Sequence, residues 1–263
     1  MAECLLLKYL LVCVSSGLVS AITLLSGFGL GTLLLPVFLV FFPIPIAIPL
    51  TALVHLLNNV FKLTLLGKYT DKTVVLHFGL PAVPSAFVGA EVLFWLSNFD
   101  ASWEYQLLSH TFSVKPIKLV VALLMIVFVL WEVVPSLQRV TFSKQYLPVG
   151  GMLSGFFGGL TGHQGVFRSA FLLRTGLTKE AFIGTGVVIA CLVDISRLSV
   201  YATSITSVGN ADHVPILIAA TLSAFLGALA GNRMMKKITI RSIQILVSVM
   251  MFGIAVSLAV GLL

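Results

Sequence analysis

Apolar residues in this chain come in long unbroken runs, with neither the strict alternation of a half-buried strand nor the one-sided stripe of a surface helix. No Asp, Glu, Lys or Arg occurs from Tyr9 to Phe61, and none in 145–167, 213–232 or 242–263. A membrane-spanning helix needs about 20 such residues, so the first run alone holds more than two passes. The pattern predicts ten helical segments, near 4–25, 30–42, 45–67, 73–95 and 115–135, then near 146–160, 165–175, 178–204, 213–232 and 240–262. In each set of five the leading two are expected to be short and interrupted by glycine. They form either two full crossings or a re-entrant hairpin broken at mid-membrane.

The two sets align with each other. A shift of 134 residues pairs Gly17 with Gly151, Ser20 with Ser154 and Gly31 with Gly165. The same shift pairs Ala47 with Ala181, Thr51 with Thr185 and Pro81 with Pro215. At a shift of 138, "SAFVGA" (85–90) matches "SAFLGA" (223–228). The chain therefore reads as one transmembrane domain, 1–263, with repeat 1 over 1–135, a linker at 136–146 and repeat 2 over 147–263. Either version of the hairpin leaves an odd number of passes in each copy, so the second copy is expected to be inverted. The fold class is all-α, polytopic, with two inverted-topology repeats of five helical segments each. Such halves can rock about a central site and open it to each side in turn.

Composition and charge sharpen this picture. Of 263 residues, 59% are hydrophobic and 10% charged, against about 25% charged in a soluble domain. The net charge of +7 reads as Lys and Arg gathered on cytoplasmic loops. The segments 67–72, 136–146, 174–179 and 232–241 are basic, whereas 97–113 and 204–213 lack Lys and Arg and carry acids. That bias predicts both termini outside. Nucleic acid is not an expected partner, because no basic stretch is interleaved with stacking aromatics. The N-terminal 1–21 has the outline of a signal peptide, but its match to an internal segment argues for a retained helix. Cys4, Cys13 and Cys191 lie in apolar segments and read as core residues, with no disulfide or metal site. Neither a phosphate-binding loop nor a zinc-protease motif occurs, and no cofactor is expected.

The stretch "SGFGLGTLLLPVFLVFFPIPIAIPLTA" (26–52) has a glycine-rich turn, a short helix with Pro36, then Ala47 and Thr51. It resembles the sulfite exporter TauE/SafE family, and "SGFFGGLTGHQGVFRSAFLLRTGLTKEAFIGTG" (154–186) is its second copy. The resemblance implies a transporter of the bacterial inner membrane for small sulfur-containing anions such as sulfite, thiosulfate or sulfonates. Family members more usually carry G-x-G-G-G in each turn. Here the turns read Gly27-Phe28-Gly29-Leu30-Gly31 and Gly162-His163-Gln164-Gly165, the second with polar side chains in place of bare backbone.

Several residues are candidates for anion chemistry. Gly29, Gly31, Gly162 and Gly165 allow tight turns before new helices, whose N-terminal N–H groups and dipoles favour anions. Equally, they serve close helix packing. His163 and Gln164 sit in the second turn. Arg168 follows one turn later, as an anion ligand or as a cation snorkelling to the cytoplasmic side. His55, Asn58, Asn59 and Lys62 share one stripe of the third helix, lining a path, with Lys62 as interfacial anchor. In the corresponding helix of the second copy, Cys191, Asp194, Arg197 and Tyr201 are polar. Asp194 and Arg197 either pair with each other or leave Asp194 to balance two arginines and to carry a proton. The expected substrate-binding set is Gly29, Gly31, Asn58, Asn59, Gly162, His163, Gln164, Gly165, Arg168 and Arg197. Proton coupling falls to Asp194, His55 and Glu91. The function expected is secondary transport of a small sulfur oxyanion or organosulfonate. An anion channel on the same scaffold is the alternative, and an intramembrane enzyme with His163 and Asp194 as acid and base a third.

Overall fold

The computed structural model describes residues 2–26, 30–107, 110–208, 213–234 and 240–263, and the side chains outside 2–5, 24–33, 107–110, 203–212 and 232–247. Ten principal helices are numbered in chain order. The first five are α1 (Ala2–Ser26), α2 (Leu30–Phe41), α3 (Ile44–Leu66), α4 (Lys72–Ser97, with a π turn at Val75–Gly79) and α5 (Pro116–Val133). The second five are α6 (Leu147–Thr161), α7 (Gly165–Leu172), α8 (Lys179–Val208), α9 (Val214–Met234) and α10 (Ile240–Ala259). Among the described residues six helices are long and apolar enough to cross a membrane, in α1, α3, α4, α5, α8 and α9.

The polarity of this fold is reversed relative to a soluble domain. Leu6, Leu80, Leu123, Leu222, Leu226 and Val249 are among the large apolar side chains facing outward, where lipid tails solvate them. Inside, beside an apolar cluster of α2, α3 and α5, lie Ser20, His55, Asn58, Lys62, His163, Arg168, Asp194 and Arg197, all buried. Helices in lipid associate through close packing and interhelical hydrogen bonds. The α4–α6 contact follows that rule. Gly151, Gly155 and Gly159 lie against the backbone carbonyls of Phe78, Ala82 and Ala86, and a Cβ at any of the three would collide with them.

The most extensive helix contacts are α4 with α6, α1 with α9, α3 with α8, and α5 with α10. This set is unchanged when the first five helices and the last five are exchanged in order. The α1–α9 contact repeats the glycine chemistry: Gly227 packs on the Gly17 carbonyl and Gly231 on that of Ala21.

Two features depart from expectation. Helix α1 is not short: it runs unbroken for 25 residues, because Gly17 lies inside it as a packing surface for Ser223 of α9. In the second half α6 and α7 do form a pair of short helices, with 15 and 8 residues. They are roughly 22 and 12 Å long, against a hydrocarbon core of about 30 Å. The segment after α4 also holds an antiparallel hairpin, β1 (Trp103–Leu107) with β2 (His110–Val114). Its apolar residues alternate at Trp103, Tyr105, Phe112 and Val114, the period of a strand. Tyr105 stacks on Phe112 at 5.2 Å and donates from its hydroxyl to the Val260 carbonyl at 2.6 Å. This insertion pairs with itself, Trp103 opposite Val114 and Tyr105 opposite Phe112.

Candidate functional site

Helix α6 stops at Gly162, which adopts φ +86° and donates its N–H to the Gly158 carbonyl at 2.9 Å. That left-handed conformation strains any residue with a Cβ. Ser154 satisfies the turn from within α6, its hydroxyl donating to the Gln164 carbonyl at 2.9 Å. Helix α7 then restarts at Gly165, and its first N–H groups have no acceptor within the helix. The linker holds α7 in place: the Phe142 N–H donates to the Ala170 carbonyl at 3.2 Å, and the two rings Phe142 and Phe171 stack at 4.2 Å.

Helix α8 passes directly across this break. Arg197 donates from Nε and Nη2 to Asp194 Oδ1 at 3.0 and 2.7 Å, and from Nη1 to the Gly158 carbonyl at 3.4 Å. A Cβ at Gly162 would come within 2.8 Å of Arg197 Nη1, so the turn is shaped to the guanidinium. One helical turn on, the Tyr201 hydroxyl donates to the Gly159 carbonyl at 2.6 Å. Gln164 Nε2 also reaches Asp194 Oδ1, at 3.4 Å.

From the other side α3 supplies His55, whose Nδ1 lies 2.5 Å from Asp194 Oδ2. The arrangement that satisfies both ring nitrogens has Nδ1–H donating to the carboxylate and Nε2 accepting from Asn59 Nδ2 at 3.3 Å. Asp194 is thus tied to three elements at once. Arg168 is 6% exposed, and its side chain runs beside Gly186 of α8, where a Cβ would stand 3.2 Å from Arg168 Nε. Its guanidinium is within electrostatic reach of Asp194, His55 and Lys62.

His163 faces the opposite side of the turn. Its ring stacks on Phe128 of α5 at 4.7 Å and 9°, and Nδ1 meets the Thr161 hydroxyl at 2.8 Å. His163 Nε2 and Gln164 Oε1 are buried without a partner. His163, Gln164, Asp194 and Arg197 are each 0% exposed.

The structure therefore gathers His55, Asn59, Gly162, Gln164, Gly165, Arg168, Asp194 and Arg197 around one buried point, with His163 flanking it. It does not bring the other candidates there. Asn58 turns toward α1 and α9, and Lys62, expected at the interface, is 3% exposed beside it. Glu91, grouped with Asp194 and His55 on sequence grounds, is exposed on the outer side of α4, because its neighbours Gly89 and Ala90 take the packed face. Gly29 lies outside the described residues, and Gly31 is the second residue of α2. Sequence reasoning missed Glu132, buried in the last turn of α5 with both carboxylate oxygens unpartnered. A single acid at the end of an apolar helix carries no distinguishing spacing. It also missed the hydroxyl of Ser154 as a brace, although the match of Ser154 to Ser20 was a signal for both.

The chain is a multi-pass helical protein with a broken helix pair and buried charged side chains, features that in membranes mark substrate or ion paths. The comparison with known families is specific: the model of the sulfite exporter TauE/SafE family matches residues 11–258, and the chain belongs to that family. No curated protein and no solved structure matches it. Family membership supports a membrane transporter of sulfur-containing anions.

Proposed function

We propose that the protein is a secondary transporter of a small sulfur oxyanion or organosulfonate, bound where α3, α7 and α8 meet. The observation that carries this reading is the break at Gly162–Gly165, where α7 restarts beside the buried Arg168, Asp194 and Arg197. An arginine at mid-membrane is disfavoured by about 2.5–3.5 kcal/mol even on gentle insertion scales, and buried arginines there mark substrate and ion paths. Arg168 is the principal cationic ligand, since a guanidinium offers an oxyanion a planar fork of donors. The N–H groups opening α7 at Gly165 add to it, with Asn59, His163 and Gln164 as neutral contacts. Arg197 positions Asp194 and the Gly162 turn. Asp194 and His55, hydrogen-bonded to each other, carry the coupling proton.

The exchangeable contact set supports two inverted halves moving against each other, and full burial of the centre suits a carrier better than an open pore. The basic loops support an orientation with both termini outside a bacterial inner membrane. The test is flux of labelled sulfite, sulfate and thiosulfate into proteoliposomes. Arg168→Gln is expected to abolish flux while the protein inserts and purifies as wild type. Undiminished flux in that variant overturns the assignment.

A further inference from the structure

Lys62 lies in the last turn but one of α3, and its Nζ donates to the Thr23 hydroxyl of α1 at 3.1 Å. Beside it, in the orientation that satisfies both ends of its amide, Asn58 donates to the Ala224 carbonyl of α9 at 3.2 Å and to the Ser20 hydroxyl at 2.9 Å. The Asn58 oxygen accepts from Lys62 Nζ at 3.1 Å. Ser20 and Asn58 are 0% exposed. Every partner of the ammonium is thus neutral, and among the described residues no carboxylate comes within ion-pair distance of it. Neutral acceptors satisfy two of its three N–H donors but supply no counter-charge, and a buried charge without one is strongly disfavoured. Arg168, within electrostatic reach, adds to the positive field. The polar lining also continues beyond this cluster. Ser16, one turn before Ser20 on α1, and Thr221, one turn before Ala224 on α9, are buried with hydroxyls that have no partner.

We propose that this seam between α1, α3 and α9 is a second anion subsite, in which the ammonium of Lys62 holds a small oxyanion through its remaining N–H donor. The inference rests on the reading of the protein as an anion transporter, and it adds a station beside the Arg168 centre. Oxyanions fit because the seam offers an ammonium and, further along it, the unpartnered hydroxyls of Ser16 and Thr221. An apolar solute would leave these unsatisfied, and a cation would meet Lys62. The Arg168 centre and the Lys62 seam lie on the two flanks of α3, so an anion moves between them by passing along one helix.

Equilibrium dialysis of purified protein against radiolabelled thiosulfate reads this directly. Two anions per wild-type protein are expected, one in Lys62→Met, one in Arg168→Gln, and two again in Lys62→Arg. One anion per wild-type protein overturns the second subsite and leaves the transporter reading intact, and this outcome needs no variant to fold. Loss of all binding in a folded Lys62→Met protein shows one shared site and also overturns it. No binding to wild type, with thiosulfate, sulfite and sulfate alike, overturns the transporter reading and the subsite with it.

Discussion

Neutralising Arg197 tests whether the centre is held together as described. Asp194 and Arg197 are both 0% exposed, joined by two hydrogen bonds of 3.0 and 2.7 Å. Removing one member of a buried ion pair costs about 3–5 kcal/mol, because the other is left uncompensated. In Arg197→Met, Asp194 keeps His55 at 2.5 Å and Gln164 at 3.4 Å, which places the loss near the lower end, about 3 kcal/mol. In Asp194→Asn, both Arg197 and His55 lose their anion, and the loss approaches about 5 kcal/mol. Together, Asp194→Asn and Arg197→Met remove both charges, and replacing such a pair with neutral groups is close to neutral in stability. The singles therefore sum to roughly 8 kcal/mol, whereas the double variant is expected to lose far less, a coupling of several kcal/mol. Unfolding in mixed detergent micelles, followed by circular dichroism, measures all four proteins. If the double variant loses as much as the two singles combined, the pair is not the internal counter-charge described here.

Other substitutions probe separate parts of the structure. Gly162→Ala forces a Cβ into a left-handed residue, at about 1–2 kcal/mol, and onto Arg197 Nη1 at 2.8 Å. Both stability and anion flux are expected to fall, and an unchanged thermal melt contradicts the broken-helix geometry. Gly159→Ala drives a Cβ into the Ala86 carbonyl, whereas Gly253→Ala meets nothing within 4 Å. The first is expected to lower the melting temperature by several degrees and the second to leave it unchanged. Glu132→Met replaces a carboxylate with two unpartnered buried oxygens and is expected to stabilise by about 1–3 kcal/mol. A destabilised Glu132→Met protein reveals a partner for that carboxylate.

Much of the architecture was legible from sequence because the membrane imposes a simple rule. A polar side chain in an apolar helix must turn inward, and His55, Asp194 and Arg197 obey it. The Gly162 turn was legible as well, since Gly-x-x-Gly between two apolar segments breaks a helix. The stripe on α3 was harder to read. Its residues 55, 58, 59 and 62 span an arc of about 100° at 3.6 residues per turn, wide enough to face two neighbours. His55 and Asn59 take the flank toward α8, while Asn58 and Lys62 take the flank toward α1 and α9. Lys62 has the sequence of an interfacial anchor, being near a helix end, but α1 and α9 close over it. Glu91 was a candidate only as the other acid inside a helix, weaker than Asp194. Its position one residue past Ala90, a rotation of about 100°, carries it out of the packed face. The β1–β2 hairpin was hidden because five alternating residues in a polar loop make a short signal, and among the described residues its strands pair only with each other.

The proposed carrier loads its buried cationic centre from one side and empties it to the other. Counterflow in proteoliposomes tests this most directly. With unlabelled thiosulfate or sulfite loaded inside, labelled anion outside is expected to accumulate transiently above its equilibrium level, and Arg168→Gln to show no overshoot. Flux that never saturates and does not respond to anion on the far side would contradict it.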